Sequence, residues 1–136
     1  MTGAHPPPTE SGSRGYTLVA ALLLAALSVG CATAGRPLTP GEPLLLRPGE
    51  QVALPNAAAL RYLGVSADSR CRPDVQCIHA GDADVKLEYT VPNAAPRAIT
   101  INTDAPMAQL GRWRVRLLSL DFAPLPNATL RLDDTH

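Results

Sequence analysis

The side chains best equipped for chemistry fall in one short stretch. Residues 67–82 read Ala-Asp-Ser-Arg-Cys-Arg-Pro-Asp-Val-Gln-Cys-Ile-His-Ala-Gly-Asp, so Cys71, Cys77 and His79 sit among Arg70, Arg72 and Asp74. Two cysteines at this spacing admit a disulfide, a redox-active dithiol or a pair of metal ligands. Redox motifs separate their cysteines by two residues near a helix start, whereas five residues intervene here. Structural zinc takes four Cys or His ligands, and this segment holds only three such residues. Asp68, Asp74, Asp82 or Asp84 could complete a set with Cys77 and His79, but Asp in this context is better read as a turn residue accepting backbone N–H groups. No metal and no cofactor is therefore expected. The alternative is a metal- or redox-handling protein using Cys71, Cys77 and His79.

Catalysis finds little support. His5 lies in the leader and His136 is the last residue, which leaves His79 as the one candidate base. Ser69 is a nucleophile on paper, yet no nucleophile elbow and no third orienting group accompany it. No phosphate-cradling glycine loop and no separable pair of carboxylates is recognisable. The expectation is a protein that is not an enzyme. Twelve basic residues balance twelve acidic ones in 136, which argues against a nucleic-acid partner. Lys86 is the single lysine, so no polybasic membrane patch exists. A chain 46% hydrophobic and 18% charged is not a disordered one.

The N-terminus sets the expected location. Residues 16–30 carry no charge, which is short of the roughly 20 residues that span a bilayer but suits a secretory signal. Leu27-Ser-Val-Gly-Cys31 resembles the lipobox of bacterial lipoproteins. That resemblance implies cleavage before Cys31, a diacylglycerol thioether on its sulfur and an acyl chain such as palmitate on its new amino group. Ala32, rather than Asp, follows the cysteine, as in outer-membrane-sorted lipoproteins. The implied site is the bacterial cell envelope, anchored in the outer membrane and facing the periplasm, with the membrane itself a partner through the lipid. With Cys31 assigned to lipid, Cys71 and Cys77 remain as an even pair, which in an oxidising envelope reads as a disulfide. Pro73 favours the turn between them.

The rest of the chain must position that loop. Residues 31–43 are rich in Pro, Gly and Ala, and read as a flexible tether between a signal at 1–30 and a folded domain at 44–136. Residues 83–91 alternate strictly: Ala83, Val85, Leu87, Tyr89 and Val91 on one side, Asp84, Lys86, Glu88 and Thr90 on the other. That is a strand with one wet face. Residues 113–117 repeat the pattern with Arg114 and Arg116 outward, and 44–46, 51–54, 60–65, 98–102 and 128–132 are further candidates. Seven short strands separated by Pro, Gly and Asn predict an all-β fold, a small antiparallel β-sandwich or barrel with one disulfide-braced loop. A short helix over 56–62 is the local alternative, with a strand from near Leu60 preferred.

Asp68-Ser-Arg-Cys71, then Asp74-Val-Gln-Cys-Ile, then Ala80-Gly-Asp82 and an alternating strand, resembles a family of small uncharacterised bacterial lipoproteins. Their core reads D-S-R-C-P, then C-x-W-A-G. Arg72 here precedes the proline, and His79 stands where the family has Trp, as a smaller substitute for an aromatic plug. The family implies location and fold but no mechanism. The function expected is that of a membrane-anchored, non-catalytic binding or structural module. Its candidate contact loop is Arg70, Arg72, Asp74 and His79, offered to an envelope protein, a glycan or an anionic lipid headgroup. Asn127-Ala-Thr129 is a formal glycosylation sequon and reads as a coincidence of a turn.

Overall fold

The structure is a computed structural model that describes residues 2–5, 7–8 and 35–135. Cys31 and the apolar leader lie outside the described residues. From Gly35 onward the described chain forms nine strands: β1 (Arg36–Pro37), β2 (Leu44–Leu46), β3 (Gln51–Ala53), β4 (Ala59–Asp68), β5 (Ala83–Thr90), β6 (Arg97–Asn102), β7 (Met107–Leu110), β8 (Trp113–Leu120) and β9 (Ala128–Asp134). They make two sheets, of order β1-β3-β4-β5-β6 and β2-β9-β8-β7, each with two free edges. The fold is sandwich-like and unclosed. All pairings are antiparallel except β1 with β3.

Alternation builds the core. β5 buries Ala83, Val85, Leu87 and Tyr89, β8 buries Trp113, Val115 and Leu117, and β9 buries Ala128, Leu130 and Leu132. A register shift between Leu117 and Ser119 then turns Leu120 inward. The central β4 is less regular. It shifts register around Gly64, whose φ of 124° favours glycine, and Leu63 faces outward there.

The preferred strand from near Leu60 is β4, which begins at Ala59, and the alternative helix over 56–62 does not form: Pro55–Ala57 is one 3₁₀ turn, and left-handed φ values of 72° at Asn56 and 60° at Ala57 prevent its continuation. Two sequence expectations change. The tether over 31–43 is already part of the domain by Arg36. β1 pairs with β3, the Leu38 amide donates to the Ala53 carbonyl at 2.8 Å, Leu38 is buried, and the Gly41 amide donates to Leu132 at 2.8 Å. Lastly, β7 adds a strand outside the seven expected; one buried residue, Leu110, is too little pattern to read.

The registers decide which loops share an end. Gln51 opposes Arg61, and β1 runs parallel to β3, so the chain enters at the end toward which β4 runs. The 47–50 turn closes onto that end through the Gly49 amide on Tyr62 O at 2.6 Å and the Tyr62 amide on Glu50 O at 2.9 Å. The 69–82 loop continues from β4 there. In the facing sheet the 121–127 loop after β8 lies at the same end, because the Tyr62 hydroxyl donates to Pro126 O at 2.7 Å. The turns at 54–58, 91–96 and 111–112 gather at the other end.

Candidate functional site

Two loops and the groove between them form the candidate site. The 69–82 loop is closed at its neck by backbone and hydroxyl contacts: the Ser69 amide donates to Asp82 O at 2.8 Å, and Ser69 Oγ exchanges bonds with Asp82. Gly81 lies flat against this neck. A Cβ there would overlap the Ser69 carbonyl, so no other residue fits without moving the backbone. Further out, Cys71 and Cys77 are joined in a disulfide with Cα atoms 5.9 Å apart, within the usual range. The Val75 amide donates to Arg72 O at 3.1 Å, which is the turn that Pro73 favours. With both sulfurs bonded to each other, no thiolate remains as a metal ligand, and no group of three His, Cys, Asp or Glu capable of holding an ion occurs among the described residues.

Arg70 does not serve the surface. Its guanidinium forms an ion pair with Asp68 at 2.7 Å, donates to Leu120 O at 2.6 Å and Asp121 O at 2.7 Å, and stacks 4.2 Å from the Phe122 ring centre. Its side chain is only 10% exposed. Arg70 thus pins the end of β4 in one sheet to the end of β8 in the other. Asp68 also accepts the Arg70 amide at 3.1 Å, the turn role expected of it. The side-chain bonds from Arg70 hold the Asp68 carboxyl below its ordinary value.

The 121–127 loop is organised by one carboxylate. Asp121 accepts the amides of Ala123 at 3.1 Å and Asn127 at 2.9 Å, and the Asn127 side-chain amide at 2.6 Å. The Asn127 amide bond is the largest cause of the lowered Asp121 pKa. Because the Asn127 side chain is engaged in this cap, the sequon reads as a turn. Beneath the loop, Tyr62 is fully buried, and its pKa is raised to about 12 by desolvation first and by the Asp121 charge second. It remains a neutral donor to Pro126.

Between the loops lies a groove of about 340 Å³, with Asp68, Arg70, Arg72, Phe122, Pro124 and Pro126 among its walls. Arg72 and Asp74 are exposed. His79 is exposed too, so it does not pack beneath the loop or plug the core. Ser69 Oγ is engaged with Asp82 rather than with an imidazole. What the site reading of the sequence omitted is the apolar tip: Ile78 is 94% exposed, Val75 52% and, on the facing loop, Leu125 73%. Aliphatic residues inside a polar, disulfide-closed segment were the available signal. Comparison with protein-family models, with curated proteins and with solved structures gives no match for this chain.

Proposed function

We propose that this chain is a lipid-anchored, non-catalytic binding module of the bacterial cell envelope. The single observation that supports it is the build of the 69–82 loop. A disulfide, the Gly81 neck and the Arg70 clasp fix it, yet Val75 and Ile78 at its tip contribute nothing to the core. A loop made rigid in advance loses less entropy on contact, and exposed aliphatic residues on such a loop mark a contact surface. The lipobox-like run ending in Cys31 supports the anchor.

The anchor is tested by Cys31→Ser, which should move the protein from the membrane to the soluble fraction; unchanged retention would remove this part of the reading. The contact surface is tested by a photoreactive residue at Val75. Adducts should form in the wild-type background and disappear with Ile78→Asp, at a melting temperature unchanged because Ile78 is solvent-exposed. A loop without adducts in the envelope of living cells argues for bracing alone.

A further inference from the structure

The end of the sandwich that carries the two loops is also the end at which the chain enters the domain. β1 runs parallel to β3, and Gly35 packs against Gln51, so the N-terminal end of β1 faces the same way as the 47–50, 69–82 and 121–127 loops. Cys31 is only four residues before Gly35, a reach of at most about 14 Å for a fully extended chain. Because residues 36–38 belong to the fold, no long tether separates a lipid on Cys31 from this end of the domain. The most exposed aliphatic side chains of the described loops, Ile78, Leu125 and Val75, project from the same end.

We propose that this end is a membrane-contacting face, with Ile78, Val75 and Leu125 seated among the headgroups of the bilayer that holds the Cys31 lipid. The proposal rests on the lipid-anchor reading and names the bilayer as the partner of the candidate site. The contact is apolar in origin. The loops of this end carry Glu50, Asp74, Asp82 and Asp104 against Arg47 and Arg72, so negatively charged headgroups are not attracted. Zwitterionic lipid is the fitting surface. An aliphatic anchor beside a covalent lipid adds a second point of attachment and fixes the domain's orientation.

The test uses the full lipidated protein in vesicles of phosphatidylcholine with brominated acyl chains, which quench tryptophan on contact. Ile78→Trp, at a fully solvated site, should lose most of its added emission. Ala95→Trp, on the exposed turn at the opposite end, should lose none, with Trp113 as the common background. Replacing part of the lipid with an anionic one should not deepen the quenching. If the protein floats with the vesicles and Ile78→Trp is as bright as Ala95→Trp, the face meets water or another protein and the proposal is overturned while the anchor stands. If the protein does not float and its mass shows no lipid on Cys31, the anchor reading itself fails.

Discussion

The 69–82 and 121–127 loops stand side by side and solve the same problem by different means. The first is held by a covalent bond, a glycine neck and an arginine clasp; the second is held by one carboxylate that gathers three N–H groups. Both expose aliphatic residues, and neither has a regular element of its own. The difference lies in what each responds to. A disulfide is indifferent to pH and sensitive to reductant, whereas a capping carboxylate is indifferent to reductant and sensitive to acid. Arg70 couples the two, because its guanidinium spans from Asp68 to the carbonyls that open the second loop.

The comparison can be broken at its most rigid point first. Gly81→Val should cost about 3 kcal/mol in thermal or urea unfolding, since the neck must open to admit the side chain. An unchanged midpoint would show that the neck is free to relax. Arg70→Met should cost about 2–3 kcal/mol, because Asp68 and two carbonyls lose a charged donor. Arg70→Lys should not recover it, since one ammonium cannot reach all three acceptors and stack on Phe122 as a planar fork does. Reduction of Cys71–Cys77 should cost about 2 kcal/mol, the chain-entropy value for a loop of this size. Amide exchange should quicken in the 69–82 loop and leave 121–127 as it was; equal quickening in both would merge the loops into one unit.

Asp121→Ala should have the smallest effect, about 1 kcal/mol, comparable to losing a helix cap, with faster exchange confined to 121–127. The same carboxylate gives the acid response. Asp68, Asp121 and Asp133 all have folded pKa values below the 3.8 of a free carboxyl. Their stabilisation is complete above that value and is lost as pH falls through the folded values. Acid unfolding followed from pH 5 downward should therefore begin below about pH 4, and Asp121→Ala should flatten that limb.

Much of the fold was legible before any coordinates. A period of two over residues 83–91 and 113–117 matches β5 and β8, because a half-buried strand must alternate. The disulfide was legible because the lipobox resemblance sets Cys31 aside and leaves Cys71 and Cys77 as an even pair around Pro73. β1 was illegible: two residues, one of them proline, carry no period, and only β3 beside them makes them a strand. His79 was misjudged in the other direction. The motif resemblance implied an aromatic plug at this position, and the disulfide loop carries the side chain into solvent.

Arg70 shows the boundary most clearly. In sequence it is one of several arginines around a cysteine loop, and nothing local separates it from Arg72. The carbonyls of Leu120 and Asp121 that it binds are fifty and fifty-one residues away, brought near only when two sheets pack. The sequence by itself determined seven of the nine strands and the cysteine pairing, because period, proline and cysteine spacing act over a few residues. Tertiary structure alone decided which arginine is buried as a clasp, why residue 81 is glycine, and that the exposed Val75, Ile78 and Leu125 share an end with the start of β1. Those depend on contacts between segments whose separation no local pattern records.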